Sequence, residues 1–244
     1  MHIAILVTNT DTSAFASRHP GDADRFSGLL QLVRPDWAFT AIDTVNGALP
    51  PEPAVFDGYI VTGSPASAND PDDWIAGLKR FIRQRVAAQV PLFGACFGHQ
   101  VIASALGGQV EQSAHGWRLG LYEAPGSLAL GDDGAPIRLY AAHKDQVTEL
   151  PPGAVPLGGT ADCPLAGYTV GNTVYSSQYH PEMPYEFVTA LVEEIVDHVG
   201  PKAASYAQSS LAQGRADMER FAQSVAVLFE SAQASAASKS IAVT

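Results

Sequence analysis

Cysteine is scarce in this sequence. Cys96 and Cys163 are the only two among 244 residues, which excludes a disulfide framework and, in a reducing compartment, leaves both free to act as thiols. Positive charge is scarce as well: 14 Lys and Arg face 25 Asp and Glu, and the net charge of −11 repels a phosphate backbone rather than collecting one. Nucleic acid is therefore not an expected partner. Long apolar runs are absent. The uninterrupted stretches are a few residues, against the roughly 20 that a membrane-spanning helix needs, and the opening MHIAILVTNTD has neither a cationic leader nor an extended apolar segment. The chain is expected to be cytoplasmic, with no membrane as a partner. The seven His residues show no HExxH, His-x-His or CxxC spacing, and no Walker-type phosphate loop occurs, so no metal and no cofactor is expected.

Hydrophobic residues make up 46% of the chain and charged ones 16%, with 22 Gly and 17 Pro spread along it, a composition that packs a core rather than remaining disordered. At about 150 residues per domain, the length suits a single large α/β domain. The run HIAILVT at 2–8 is apolar and β-branched without alternation, as in a strand covered on both faces of a parallel sheet. A helix over 22–33 and strands over 37–43 and 58–62 follow, separated by Pro, Gly or Asp. Asn69 or Asp70 as cap, with Pro71 in the first turn, predicts the start of a helix whose apolar face carries Trp74, Ile75, Leu78, Phe81, Ile82 and Val86. PLFGACFGHQVIASALGG reads as a short strand turning at once into a helix that Gly107 and Gly108 end.

From 109 to 178 the pattern changes to short strands at 118–123, 137–141, 167–170 and 173–178, an antiparallel section appended to the parallel sheet. Phe187, Val188, Leu191, Val192, Ile195 and Val199 mark an amphipathic helix. A further helical pattern runs through Met218, Phe221, Val225 and Leu228 after a break near Gly214, and a mobile tail SAQASAASKSIAVT closes the chain. The fold class is α/β, with a mostly parallel central sheet flanked by helices, a small antiparallel section and a helical C-terminal extension. Residues 1–200 form the main domain and 201–244 the extension.

One turn carries chemistry. A nucleophile is displayed well at a sharp corner between strand and helix, where flanking glycines permit the tight backbone. Gly94, Cys96 and Gly98 supply that corner with a thiol, and a helix starting there aims its free N–H groups at the sulfur and lowers its pKa. A thiol nucleophile needs a base and the base an orienting group. In SSQYHPEM, Pro181 holds the chain extended so that His180 and Glu182 project to one side. With the elbow they make a Cys–His–Glu triad.

GACFGHQ and QYHPEM, 84 positions apart from Cys96 to His180, resemble the class I glutamine amidotransferase family, whose domains carry G-x-C-x-G-x-Q and H-P-E. VTGSPASANDPDDWI is similar to the family's glycine turn, GWRLG to its strand after the nucleophile and HKDQVTELPPGA to its H-x-D-x-V-x-x-L-P loop. The resemblance covers about residues 55–185. It implies a flavodoxin-like class I amidotransferase fold in which Cys96 attacks the γ-carboxamide of glutamine and the backbone N–H groups of Gly63 and Phe97 hold the oxyanion. His180 moves the protons, Glu182 fixes its ring, and Gln100 helps to grip the amino-acid end. His143 and Asp145 match the pocket loop, where a His and an Asp line the pocket or cap a turn. His115 and Trp117 either border the pocket mouth or pack. His99 is expected to be a packed histidine and Cys163 a bystander.

The substrate implied is glutamine or another γ-glutamyl compound. Three functions share these residues: a glutaminase that passes ammonia to a separate, ammonia-accepting synthase, a hydrolase of γ-glutamyl peptides or amides, and an inactive binding or regulatory module. The pocket turn reads Gly63-Ser64-Pro65 where many relatives carry adjacent glycines. The segment after about residue 200 has no counterpart in the family core and serves as a lid, a dimer face or a partner dock, and within it the stripe from Met218 onward reads as a packing face or the contact of a homo-oligomer.

Overall fold

The structure, a computed structural model, describes residues 1–50, 56–131 and 134–241. Its main sheet has seven strands in the order β2-β1-β3-β4-β11-β10-β9. The parallel part comprises β1 (His2–Val7), β2 (Ala38–Asp43), β3 (Gly58–Val61), β4 (Leu92–Ala95) and β11 (Val174–Ser177); β9 (Ala154–Thr160) and β10 (Cys163–Val170) extend it antiparallel. Two small antiparallel sheets stand apart, one of β5 (Gln109–Gln112) with β8 (Asp145–Glu149) and one of β6 (Arg118–Ala124) with β7 (Ile137–His143). The helices are α1 (Asp22–Gln31), α2 (Asp73–Ala87), α3 (Phe97–Ala105), α4 (Tyr185–Val199), α5 (Pro201–Leu211) and α6 (Met218–Ile241).

The parallel strands read as unbroken apolar runs because both faces are covered. Alternate residues go opposite ways: Ile3, Ile5, Ile60, Phe93 and Tyr175 pack with Phe26 and Leu29 of α1 and Phe221 and Phe229 of α6. Ala4, Leu6, Tyr59, Val61 and Leu92 pack with Ile75, Leu78 and Ile82 of α2 and Val101 and Ile102 of α3. A third cluster joins Leu119 and Leu121 of β6 and Tyr140 of β7 to Phe187, Val188 and Val192 of α4 and Ala207 and Leu211 of α5.

The expected α/β architecture is observed, with three local corrections. Helix α2 starts at Asp73 with Asp72 as its cap. Asn69 and Asp70 are engaged elsewhere: Asn69 Nδ2 donates to Val110 O at 2.8 Å and Asp70 Oδ2 accepts from Ser67 N at 2.8 Å, which closes a turn ahead of the helix. Strands β5, β8 and β9 carry no strand signal, since QVEQ and DQVTE are mostly polar and AVPLGGT holds a proline and two glycines. The segment read as a mobile tail is helical as far as Ile241, because its alanines favour helix and Ala232 is buried. Residues 242–244 of that reading lie outside the described residues.

Candidate active site

The parallel strands β3, β4 and β11 end side by side, and the chain leaving each one brings a part of the site. Cys96 follows β4 with φ 51° and ψ −107°, a backbone region that L residues avoid. The corner is held by hydrogen bonds from Cys96 N to Ser177 O at 2.9 Å, Gly98 N to Thr62 O at 3.1 Å and Gln100 N to Cys96 O at 3.0 Å. Both glycines are needed for space. A Cβ on Gly98 would lie 2.2 Å from Val61 O and one on Gly94 2.6 Å from Gly98 C, so α3 can be pressed onto β3 only without them. The thiol residue is 5% exposed.

His180 follows β11 and bridges to Tyr140 on β7. Its Nδ1 lies 2.7 Å from Glu182 Oε1, across the extended Pro181 that the sequence predicts to set the two on one side. Burial works against a charge on this ring more than any other single influence, but the Glu182 carboxylate and then Cys96 outweigh it and hold the imidazole well above its usual pKa. Its Nε2 is buried and, apart from Cys96, has no hydrogen-bond partner. The nearest neighbours of a Cβ built on Gly63 locate the rest: His180 Cε1 at 2.9 Å and Cys96 Cβ at 3.8 Å. Imidazole, thiol side chain and Gly63 therefore enclose one small space.

Gly63 and Phe97, the expected oxyanion donors, flank that space. Phe97 is the first residue of α3, so its N–H has no intrahelical acceptor. The peptide plane that carries the Gly63 N–H is fixed, since its carbonyl, Thr62 O, accepts from Gly98 N at 3.1 Å and from Thr8 Oγ at 2.9 Å. The Gly63 carbonyl accepts from the Thr8 and Thr62 hydroxyls at 3.1 and 3.2 Å.

Gln100, His143 and Asp145 come together at the corner between β7 and β8. Asp145 O accepts from Gln100 Nε2 at 2.7 Å and from His143 Nδ1 at 3.0 Å, while Gln100 Nε2 also donates to Gln178 Oε1 at 3.1 Å. The Asp145 carboxylate accepts from Ser67 Oγ at 2.8 Å. Burial, aided by Arg118, pushes His143 down to about 3, so it is neutral. His99 is also fully buried and neutral, pushed down to about 3 by burial and hydrogen-bonded to Ser176 Oγ at 2.9 Å. The Cys163 thiol is packed in the core, where burial raises it to about 11. His115 is exposed beside Asp162 at 3.8 Å, and Trp117 packs against the third cluster.

A family model for glutamine amidotransferase class-I matches residues 32–187. The chain belongs to the class I glutamine amidotransferase family. Gamma-glutamyl peptidase 3 of Arabidopsis thaliana is 27% identical over 168 residues, which is 63% of this chain and 66% of that protein. The glutamine-hydrolyzing GMP synthase subunit of Halobacterium salinarum is 29% identical over 171 residues, 66% of this chain and 85% of that protein. A crystal structure of a glutamine amido transferase from Methylobacillus flagellatus matches with a TM-score of 0.71 over 94% of each chain at 22% identity, a likeness of fold. Like the relatives it matches, this class I amidotransferase is an enzyme of that type.

Several residues that shape the amidotransferase site have no signal in the sequence. Thr8 reaches Gly63 from 55 positions away, and Ser67 and Gln178 hold Asp145 and Gln100. Asp22 and Arg25 form a buried ion pair on α1. Burial raises the Asp22 pKa, Arg25 opposes the rise, and Glu182 adds to it, which puts this pair within electrostatic reach of Glu182. Two surface clefts of about 300 and 510 Å³, one beside Phe15, Arg18 and Glu194 and one beside Asn46, Asp72, Trp74 and Arg80, include none of Cys96, His180 and Glu182. Among the described residues no cluster of three or more His, Cys, Asp or Glu is placed to hold a metal ion, and no helix is long and apolar enough to cross a membrane.

Proposed function

We propose that this chain hydrolyses the γ-carboxamide of glutamine through a thioester on Cys96. The thiol's proton passes to His180 Nε2, whose raised pKa favours the thiolate–imidazolium pair, and the sulfur attacks the γ-carboxamide carbon. The carbonyl oxygen becomes an oxyanion that the N–H groups of Gly63 and Phe97 receive, each donor contributing about 3 kcal/mol. As the tetrahedral centre collapses, the C–N bond breaks and the imidazolium gives its proton to the departing ammonia. His180 then takes a proton from water, whose oxygen attacks the thioester carbon; the C–S bond breaks, glutamate leaves and the proton returns to the sulfur. What supports this reading is one juxtaposition: a strained Cys96 beside an imidazole whose Nδ1 is held 2.7 Å from Glu182 and whose Nε2 has no other partner.

The same steps with an amine in place of ammonia make a γ-glutamyl peptide hydrolase, a reading favoured by the relative named gamma-glutamyl peptidase. Ammonia delivered to a separate synthase is the third use of the site, in line with the relative that belongs to a GMP synthase. The test is a substrate panel on the purified chain. A glutamine-analogue electrophile should label Cys96, and Cys96→Ala should abolish ammonia release. Labelling of Cys163 alone, with activity kept in Cys96→Ala, rejects the assignment. Turnover of γ-glutamyl peptides about tenfold or more above glutamine selects the hydrolase, activity that appears only with an added synthase selects ammonia delivery, and binding without any thioester selects an inactive module.

A further inference from the structure

Arg118 opens β6 and is paired across the small sheet with His143 at the end of β7. Such partners lie about 5 Å apart and share a face. Ala142, next to His143, has its carbonyl 3.9 Å from Cys96 Sγ, so Arg118 stands about one strand's width from the wall of the nucleophile's site. Its side chain is 5% exposed, and its guanidinium lies over the Tyr122 ring, 4.1 Å from the centroid. Nη1 faces Asp162 Oδ2 at 3.6 Å, too far for a hydrogen bond. Nε and Nη2 are buried and have no partner.

Those two nitrogens form the side-on fork of the guanidinium, the edge that matches both oxygens of a carboxylate. A buried cation with an open fork is costly to leave unpaired, and a purely structural arginine closes that fork on a protein acceptor. Two further buried hydroxyls, those of Tyr179 and Thr160, also make no well-formed hydrogen bond. They belong to the same cluster, since burial holds the Tyr179 phenol up at about 12 while Arg118 and Thr160, both within loose hydrogen-bonding reach of it, pull it back down. Across the strand pair, the carbonyl at Asp145 can only accept, so His143 Nδ1 carries the proton and the buried, unpartnered Nε2 is a bare acceptor. An open carboxylate fork beside an open acceptor suits an amino-acid group, which presents a carboxylate next to an N–H.

Resting on the γ-glutamyl hydrolysis argued above, we propose that Arg118 is a substrate-binding residue whose fork takes a carboxylate of the γ-glutamyl compound, with the exposed Asp162 competing for the same charge. That carboxylate belongs either to the α-carbon of the glutamyl unit or to the amino acid that leaves.

Three probes separate these sources: γ-glutamylalanine carries both carboxylates, γ-glutamylalaninamide lacks the leaving one, and 4-aminobutanoylalanine lacks the α-carboxylate. The wild-type enzyme should discriminate about tenfold or more in kcat/KM against whichever probe lacks the carboxylate that Arg118 holds. Arg118→Met should reduce that ratio to about twofold or less, and Arg118→Lys, which keeps the charge but not the fork, should give a ratio between those of the wild type and Arg118→Met. A ratio unchanged in Arg118→Met, or none in the wild type, overturns the proposal. If Arg118→Met fails to fold, Asp162→Asn decides: it should raise kcat/KM about two- to fivefold for the probes bearing the recognised carboxylate and not for the other, and an equal effect on all three overturns the proposal.

Calorimetric binding of the same probes to Cys96→Ala separates this proposal from the reading beneath it. Arg118-dependent discrimination in binding with no turnover of any γ-glutamyl compound by the wild type rejects the hydrolysis and keeps the carboxylate fork. Turnover without such discrimination rejects the fork alone, and neither binding nor turnover rejects both.

Discussion

His180 Nδ1 and Glu182 Oε1 are 2.7 Å apart across a single proline, and both side chains are buried. The carboxylate is what allows this enclosed ring to hold a proton, because burial alone drives an imidazole towards neutrality. Glu182→Gln keeps the shape and removes the charge. We expect kcat to fall by about 10⁴-fold, as when the orienting acid of a triad is neutralised, and the His180 pKa to move down. Kinetics and an NMR titration of the ring check this; a variant with near-normal kcat removes Glu182 from the triad.

Cys96 adopts φ 51°, a conformation that costs a residue with a Cβ about 1–3 kcal/mol. Cys96→Gly should relieve that strain, and Cys96→Ala should retain it. Both variants should be inactive, but the glycine protein should be about 1 kcal/mol the more stable in urea denaturation, after the extra chain entropy of glycine is set against the relief. An alanine variant equal to or more stable than the glycine variant shows that the corner is not strained.

A methyl group on Gly63 would sit 2.9 Å from His180 Cε1 and 3.8 Å from Cys96 Cβ. The only close contact is an imidazole, which can rotate away, so Gly63→Ala should fold with a small loss of stability and displace the ring from its working position. Activity should drop by about 100-fold or more, since a shift of an ångström in a catalytic group has that effect. Full activity in Gly63→Ala places the imidazole elsewhere during turnover.

His99 and His143 are neutral in the folded chain, with pKa values pushed down to about 3 by burial, against about 6.5 when unfolded. Between those values the unfolded chain binds more protons, so stability rises with pH across the window and is lost as the pH falls from about 6.5 towards 3. His180 acts in the opposite sense: its folded pKa is raised, so its contribution is complete below about 6.5 and is lost as the pH rises through its folded value. Denaturation midpoints should therefore fall on acidification below about pH 6. His99→Gln should make that dependence shallower by up to about 1.4 kcal/mol per pH unit, one proton's worth; an unaltered slope shows that His99 is not held neutral.

Much of this enzyme is legible in the order of its residues, where a feature depends on neighbours in sequence. The elbow is readable because Gly94 and Gly98 answer a steric demand made within five residues, and the His180–Glu182 pairing because one proline sets the path between them. The unbroken apolar run at the amino terminus announces a strand covered on both sides. Strand β9 is not readable: its proline and two glycines disfavour a strand, and it exists because β10 offers it an edge. Asn69 and Asp70 mislead for a similar reason, since as caps they are indistinguishable from the turn residues that contact with Val110 and Ser67 makes them.

By itself the sequence determined which groups could react: a thiol at a glycine-flanked corner, a histidine tied to an acid, and the family to which that combination belongs. Only the tertiary structure decided that β11 lies beside β4 so that His180 meets Cys96, that Thr8 holds the peptide at Gly63, and that Arg118 keeps an open fork near the nucleophile. Bond geometry and side-chain chemistry act between neighbours and survive in a linear reading. Strand pairing and burial arise from packing between segments tens of residues apart, and they decide which polar groups find a partner and which are left to receive a substrate.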